Sequence, residues 1–306
     1  MTDSVPIIVG AARSGTTLLR AMLDSHPQLA ITPESYFLVS LAKSRRFTRQ
    51  QPFDLDSFVA ALLHHPRFQR WGLPPENVAK DFRQPTVDNH GAAFRILYAA
   101  YGAHHRKSRV GDKTPWYVHH IPFIAELLPE ARFVHVIRDG RDVALSQGRG
   151  PILGALNWRR AINDGKSAAA RLGAGRVLEV KYEDLVTHPE ASLRNVCMFL
   201  DLDYDSAMLA YTDHADRIRA GFNRPESVAH ARISESPSLR RDGWQVRMHT
   251  QDVLQFEHLA GRSLIACGYE LSGLPRSRVV AARASVVAVS IRIQLLVRRV
   301  YDRLAH

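Results

Sequence analysis

Short apolar runs alternate with amphipathic segments along the chain, and this alternation predicts a parallel sheet flanked by helices. Runs typical of buried strands end near Gly10, Pro33, Asp112, Ile137 and Tyr182. The segments between them place apolar residues at helical spacing. Strands that alternate with helices imply right-handed crossovers, so the sequence predicts an α/β fold.

Two segments depart from this alternation. Residues 38–107 carry mostly helical patterns, of which residues 88–107 form the clearest, and we predict a helical insertion that packs on the sheet or shapes an acceptor pocket. Residues 213–249 are polar and without period. At that length, a segment without its own elements is expected to be an ordered loop or lid with a function.

The last segment, residues 275–306, reads as a basic amphipathic helix that follows an α/β domain at residues 1–274. Its apolar stripe comprises Val279, Ala282, Val286, Val289, Ile293, Val297, Val300 and Leu304. Arginines at 278, 292, 299 and 303 oppose this stripe. Three interpretations stay open: a helix docked on its own domain, a homodimer contact, or an interfacial helix on residues 276–306 that binds an anionic membrane.

Composition narrows the classes of partner. The chain has 306 residues, a formal charge of +11 and 45% hydrophobic residues. Because the arginines are spread without a long basic run, anionic small molecules or lipids are favoured and nucleic acid is not expected. Cys197 and Cys267 lie in apolar helical patterns, which predicts buried free thiols in a reducing compartment. Without a leader or a run of about 20 apolar residues, we expect a cytoplasmic protein, peripheral to the inner face of the membrane if the last helix binds lipid.

The first strand leads into a loop that suits an anion. Gly10 and Gly15 have the spacing of a nucleotide-binding P-loop, but Thr16 stands where that loop has its lysine. Arg13 is the cation of the loop. Its hydroxyl donors are Ser14, Thr16 and Thr17. Backbone N–H groups at the start of the next helix favour a phosphate or sulfate there.

Cations follow three of the predicted strands. Arg13, Lys113 and Arg138 lie at strand ends, which meet at one edge of a parallel sheet. Ser146 lies eight residues after Arg138, on the helix that begins there. This pattern indicates a ligand with two anionic groups, one in the glycine loop and one near Arg138.

These motifs resemble those of a known family. Residues 10–19 look like the 5′-phosphosulfate loop of sulfotransferases that use 3′-phosphoadenosine 5′-phosphosulfate (PAPS), and residues 136–146 look like their 3′-phosphate motif. Residues 112–115 and 182–186 resemble the bacterial branch that is similar to tyrosylprotein sulfotransferases. The resemblance implies a P-loop-type α/β fold, PAPS as co-substrate, no required metal and a hydroxyl acceptor.

The resemblance also implies roles in holding the donor. Residues 13–17, which are Arg13, Ser14, Gly15, Thr16 and Thr17, would hold the 5′-phosphosulfate. Arg138 and Ser146 match the residues that bind the 3′-phosphate, and Tyr182 matches a tyrosine at the nucleotide. Arg241 belongs to a late basic segment that closes over the donor.

Four residues take roles in the transfer itself by the same resemblance. Glu34 stands at the position of the general base, and Lys113 matches a lysine that stabilises the transferring sulfuryl group. Arg13 shares that stabilisation, and Ser234 belongs to the late segment. From the residues alone, Glu34 could instead face solvent or cap a helix.

Other interpretations of two cations also stay open. Lys113 could pair with Asp112 or Glu130, and Arg138 could pair with Asp142.

Departures from the tyrosylprotein branch limit the choice of acceptor. Its disulfide cysteines are absent, and Ser35 and Tyr36 stand where it has an acceptor-binding arginine. We therefore expect a glycan, lipid or small-molecule hydroxyl instead of a tyrosine peptide. Two alternatives remain: a P-loop kinase or nucleoside triphosphatase with Asp112 or Asp139 near Mg²⁺, and a catalytically silent nucleotide-binding module that docks on membranes. Three adjacent histidine pairs lack ligand spacing, so no metal site is expected.

Overall fold

The computed structural model describes residues 4–44, 53–83, 87–214 and 243–304. Five strands form one parallel sheet in the order β2-β3-β1-β4-β5. They are β1 (Val5–Gly10), β2 (Leu29–Thr32), β3 (Arg109–Lys113), β4 (Ala131–Ile137) and β5 (Val177–Lys181). The predicted α/β class is confirmed.

Helices follow or connect the strands. They are α1 (Thr16–Asp24), α2 (Phe37–Ala42), α3 (Leu55–Leu63), α4 (Pro75–Asp81), α5 (His90–His105), α6 (Ile121–Leu127), α7 (Gly140–Gln147), α8 (Pro151–Leu172), α9 (Tyr182–Thr187), α10 (Pro189–Phe199), α11 (Trp244–Arg247), α12 (Thr250–Ala266) and α13 (Arg278–Leu304). Short 3₁₀ turns cover Phe68–Trp71, Pro115–His120 and Ser206–His214.

The sheet is covered on both faces, which is why its central strands are apolar without alternation. Ile7, Val9 and Phe133 point into a core shared with α5, α8 and α12. Ile8 and Val134 point to the opposite face, against α1 and α10. Because side chains alternate between the faces of a strand, one unbroken apolar run fills two cores.

Between β2 and β3 the described residues form four helices, α2 to α5, that pack through aromatic side chains. Phe37 contacts Trp71 with ring centroids 5.1 Å apart. Phe58 contacts Phe94 with ring centroids 5.5 Å apart. Such pairs add about 0.5–1.5 kcal/mol each beyond their buried area. The described part of residues 38–107 is mostly helical, as predicted, whereas the division of the chain at residue 274 stays a prediction.

The longest of these four helices, α5, is shorter than the predicted 88–107. It begins at His90 because the side chain of Asn89 accepts a hydrogen bond from the N–H of Ala92 at 2.9 Å. It ends at His105 because Arg106 takes a left-handed conformation with φ 55°. Asn89, and not the adjacent Asp88, is therefore the N-cap of this helix.

Helix α13 docks on α8 and α12 through small residues. Ala284 and Ala288 are buried, and Ser285 shares a hydrogen bond of 2.9 Å with His258. Val279 and Val286 of the predicted apolar stripe are 78% and 70% exposed. The stripe is therefore not the docking face, because the alanines allow the closer approach. No helix in the described ranges is long and apolar enough to cross a bilayer.

Cys197 and Cys267 are buried free thiols, as predicted. Burial raises the pKa of each thiol to about 11, so both stay protonated and unreactive near neutral pH.

Candidate active site

The glycine spacing of the first loop has a steric cause. Gly10 has φ 154°, and a Cβ there would lie 2.5 Å from the carbonyl oxygen of Val136 on β4. Gly15 has φ 94°, and its Cβ would lie 2.3 Å from the ring of Tyr182. The first glycine thus lets the loop leave the sheet. The second brings α1 against the start of α9.

The predicted donor residues meet in space. The Nε of Arg13 donates to the Oγ of Ser146 at 3.1 Å, across 133 residues of sequence. Arg138 donates from Nη1 to the backbone oxygen of Arg13 at 3.4 Å. Gln147 adds a third link, donating to the backbone oxygen of Ala12 at 3.0 Å. The glycine loop and the motif after β4 therefore form one structure.

Arg138 stacks on Tyr182 instead of pairing with Asp142. Its guanidinium carbon lies 4.4 Å from the centroid of the Tyr182 ring. Asp142 accepts a hydrogen bond from the N–H of Trp244 at 2.9 Å. Among the described residues Arg138 acts on Asp142 through its charge but forms no direct salt bridge with it, and its guanidinium stays at the loop.

Buried polar atoms test whether this loop fits an anionic donor. Ser14 Oγ and Arg138 Nε are buried without a hydrogen-bond partner among the described residues. Unsatisfied buried donors are costly, and a bound oxyanion would satisfy them. The glycine loop, Arg138, Ser146 and Tyr182 therefore fit a ligand with two anionic groups.

The second half of the site is the ion pair of Glu34 and Lys113. The Nζ of Lys113 donates to Oε1 of Glu34 at 2.7 Å. The lysine side chain is fully buried, and that of the glutamate is 19% exposed. Thr32 and Asp112 are register partners in adjacent strands, so the residues that follow them meet. Glu34 is therefore neither solvent-facing nor a helix cap.

Lys113 is fully buried, so the alternative of a surface ion pair does not hold. It donates a hydrogen bond to Glu34, Asp112 acts on it through its charge, and Glu130 binds Arg95 at 2.6 Å. The oxygens of Asp112 accept from Thr114 at 2.7 Å and from Tyr98 at 3.3 Å. Burial raises the pKa of Asp112 to about 6.

The charge state of Glu34 follows from two opposing effects. Burial raises the pKa of Glu34, but the charges of Lys113 and Arg67 outweigh it and leave the pKa below its ordinary value. Glu34 is consequently a carboxylate at neutral pH, which is the form that accepts a proton. Burial lowers the pKa of Lys113, and the adjacent carboxylate opposes that shift.

The two halves lie side by side at one edge of the sheet. β1, which carries the glycine loop, runs between β3 and β4. Ile8 is the register partner of Lys113, two residues before the loop begins at Gly10. The positive charge of Arg20 on α1 also acts on Lys113. A donor in the loop would thus have its transferable group near the Glu34–Lys113 pair.

Sequence reasoning missed Arg67 and Trp116 beside Glu34, and it noted Tyr36 only as a departure from the tyrosylprotein branch. Tyr36 has φ 55°, a strained conformation that occurs at functional sites. Its ring stacks on Trp116 with centroids 6.0 Å apart, and Trp116 is 41% exposed. Arg67 covers Tyr36 with its guanidinium carbon 4.7 Å from the ring centroid. Trp116 and Tyr117, which closely follow Lys113 in the sequence, are the signal that could have predicted this aromatic cluster.

Some predicted features are not tested by the structure. Ser234 and Arg241 lie outside the described residues, and their roles stay predictions. Within those ranges no three His, Cys, Asp or Glu side chains are grouped to hold a metal ion. Glu183 accepts hydrogen bonds from the N–H of Asp139 at 3.0 Å and from the hydroxyl of Tyr269 at 2.8 Å, which indicates a structural role.

Comparison with known proteins agrees with this geometry. A profile described as the sulfotransferase family matches residues 6–206. Protein-tyrosine sulfotransferase A of Caenorhabditis elegans is 29% identical over 219 residues, covering 68% of this chain and 52% of that protein. The protein-tyrosine sulfotransferase of Drosophila melanogaster is 26% identical over 240 residues, covering 75% and 43%. The sulfotransferase domain of the Synechococcus PCC 7002 olefin synthase has a TM-score of 0.60 at 25% identity, covering 89% of this chain and 95% of that domain.

The chain belongs to the sulfotransferase family, because the family profile covers most of its length. This confirms the resemblance carried by the glycine loop and the motif after β4. The sulfotransferase domain of a second protein, from the curacin biosynthetic pathway, shares the fold with a TM-score of 0.57 at 18% identity. The chain spans about half the length of the curated relatives it matches.

Proposed function

We propose that this protein transfers the sulfuryl group of PAPS to a hydroxyl of its acceptor. The observation that carries the proposal is the Arg13–Ser146 hydrogen bond of 3.1 Å, which joins the two anion-binding motifs into one donor site. Arg138 and Ser146 bind the 3′-phosphate, and residues 13–17 bind the 5′-phosphosulfate. Tyr182, held against Gly15, flanks the nucleotide.

The chemical step is an in-line displacement at sulfur. The acceptor oxygen forms a bond to sulfur while its proton passes to Oε2 of Glu34, the oxygen not bound by Lys113. The bond between sulfur and the bridging oxygen breaks, and its electron pair leaves on the 5′-phosphate of adenosine 3′,5′-bisphosphate (PAP). Such a transition state is loose, so positioning and charge stabilisation supply most of the acceleration.

Lys113 has two functions in this proposal. Its ammonium holds Glu34 as a carboxylate, and it lies beside the glycine loop where the sulfuryl oxygens gain charge. A cation in a buried, pre-organised position stabilises such charge without reorganising at the moment of reaction. Arg13, which lies in the loop itself, supports the bridging oxygen in this proposal.

The acceptor is proposed to be a glycan, a lipid or a small molecule. The Tyr36–Trp116 stack lies beside Glu34, and Trp116 is partly open to solvent. A flat aromatic surface of this kind favours an acceptor with a ring. Because two relatives are named protein-tyrosine sulfotransferases, a tyrosine peptide should be assayed beside these acceptors for comparison.

The test measures binding of PAP by calorimetry in the presence of EDTA. The proposal predicts binding without a divalent cation, followed by labelled sulfate in a product when the protein, labelled PAPS and a cell extract are incubated together. Mass spectrometry then identifies the acceptor. Failure to bind PAP together with Mg²⁺-dependent binding of ATP would contradict the proposal and favour a kinase.

We propose further that α13 holds the enzyme on an anionic membrane, at its cytoplasmic face. Its exposed apolar side chains include Val279, Val286 and Ile293. The exposed Arg278, Arg283 and Arg292 flank this stripe. An apolar stripe bordered by arginines matches the boundary between headgroups and acyl chains of anionic lipid.

Sedimentation with vesicles tests the membrane proposal. The full chain should sediment with vesicles of phosphatidylserine and phosphatidylcholine, and Val286→Glu should reduce the bound fraction severalfold. Leu209→Glu, which changes an exposed apolar residue away from α13, is the control. The proposal would be overturned if both variants sedimented with vesicles as much as the parent does. It would also be overturned if the parent formed concentration-dependent dimers that Val286→Glu dissociates.

A further inference from the structure

Arg67 reaches the candidate base from a rigid part of the helical insertion. It precedes the 3₁₀ turn Phe68–Trp71, whose two aromatic ends are both buried. The N–H of Arg67 donates to Nδ1 of His65 at 3.2 Å. The ring of His65 in turn contacts Phe37, three residues after Glu34, at 5.5 Å between centroids. Packing therefore fixes the backbone of Arg67 relative to the segment that carries Glu34.

The side chain of Arg67 makes two contacts at the site. Its Nη1 lies 3.7 Å from Oε2 of Glu34, and its guanidinium lies over the ring of Tyr36. The side chain is 25% exposed, so solvent weakens this ion pair without removing it. The two oxygens of Glu34 are thus divided between two cations, Lys113 at Oε1 and Arg67 at Oε2.

The distances give the two cations different functions. Lys113 donates a full hydrogen bond, whereas the 3.7 Å from Arg67 to Oε2 exceeds hydrogen-bond length. Arg67 therefore acts on Glu34 by its charge, which is one of the causes that lower the pKa of the Glu34 carboxyl. Its flat guanidinium also packs over the ring of Tyr36, two residues after the base.

We propose that Arg67 is a positioning residue, which orients Glu34 and sets its proton affinity from the helical insertion. The insertion then takes part in the reaction through the base as well as shaping the acceptor pocket. The proposal rests on the proposed function only for the identity of Glu34 as the base. The ion pair and its effect on the Glu34 carboxyl can be measured without an acceptor.

The test is an NMR titration of protein labelled with ¹³C at the glutamate side-chain carboxyl, in the presence of PAP. The Glu34 signal is assigned by its loss in Glu34→Gln. Arg67→Gln should raise the pH at the midpoint of the Glu34 titration by about 0.5 to 1 pH unit, since a neighbouring positive charge is lost. Arg67→Lys keeps the charge and should raise the midpoint less, which separates the electrostatic effect from misfolding.

A matched control is Arg83→Gln, an exposed arginine of the same insertion. It should leave the midpoint unchanged. An unchanged midpoint in Arg67→Gln, or an equal shift in Arg83→Gln, would overturn the proposal. PAP affinity in Arg67→Gln should stay within twofold of the parent. Absence of PAP binding in the parent protein would instead count against sulfuryl transfer, and the midpoints would still decide the role of Arg67.

Discussion

The proposed site has two halves that are built in different ways. The donor half comprises residues 10–17, Arg138, Ser146 and Tyr182, and the acceptor half comprises Glu34, Lys113 and Arg67. Backbone conformation makes the donor half, because Gly10 and Gly15 let a loop, a strand end and a tyrosine ring meet closely. Side-chain charge makes the acceptor half, in which Glu34 is held between Lys113 and Arg67. The fixed backbone of the donor half should accept a donor of one geometry. The charged groups of the acceptor half lie beside a partly exposed aromatic surface, so we expect the surrounding helical insertion to select the acceptor.

This difference separates binding from proton transfer. Changes in the donor half should weaken PAP binding, and changes in the acceptor half should slow transfer while PAP still binds. Substitutions in the two halves should therefore have separable effects on PAP affinity and on the transfer rate.

Glu34→Gln should slow sulfuryl transfer by about 10²–10⁴-fold, because the amide cannot take the acceptor proton. Transfer of ³⁵S from labelled PAPS to the acceptor, once that is identified from cell extracts, measures the loss. Glu76→Gln, an exposed change on α4, serves as the control and should transfer at the parent rate. A nearly normal rate of sulfuryl transfer in Glu34→Gln would show that Glu34 is not the general base.

Gly15→Ala should weaken PAP binding by about 10–100-fold, which corresponds to strain of about 1–3 kcal/mol. The alanine must adopt φ 94° with its Cβ against the ring of Tyr182. Gly148→Ala is matched, because Gly148 has φ 63° but nothing within 4 Å of its Cβ. Calorimetry gives the PAP affinity of both variants. Gly148→Ala has backbone strain alone, whereas Gly15→Ala has backbone strain and steric overlap with Tyr182. Equal affinities in the two would show that the Tyr182 contact does not shape the donor half.

Motif spacing made the donor half predictable before its geometry was seen. The glycine loop, Arg138 and Tyr182 directly follow apolar strands, and Ser146 lies on the helix that begins after Arg138, so the sheet topology brings them together. The Glu34–Lys113 pair needed the strand order, since 79 residues separate the two in sequence. Arg67 could not be found, because its position depends on how the aromatics of the insertion pack.

A smaller effect, on the free energy of unfolding, is expected at His135 of β4, the strand that precedes Arg138. Burial, with a contribution from Lys166, lowers the pKa of His135 from 6.5 to about 4. Between these values the folded protein binds fewer protons than the unfolded chain, so stability falls as pH falls from 6.5 towards 4. The loss at pH 5 should be about 1–2 kcal/mol.

Urea unfolding at pH 7 and pH 5 checks this dependence. His135→Gln should lose less stability between the two pH values than the parent does, because glutamine does not titrate. Equal losses in both proteins would show that His135 is not the group responsible.

The central claim is that donor binding and proton acceptance lie in separate halves of one site. The most direct measurement is the dissociation constant of PAP for Arg138→Gln and Glu34→Gln, side by side with the parent and without divalent metal. Arg138→Gln should weaken binding at least about tenfold, since it loses the charged fork at the 3′-phosphate. Glu34→Gln should stay within twofold of the parent. Equal weakening in both variants, or none in Arg138→Gln, would contradict the account.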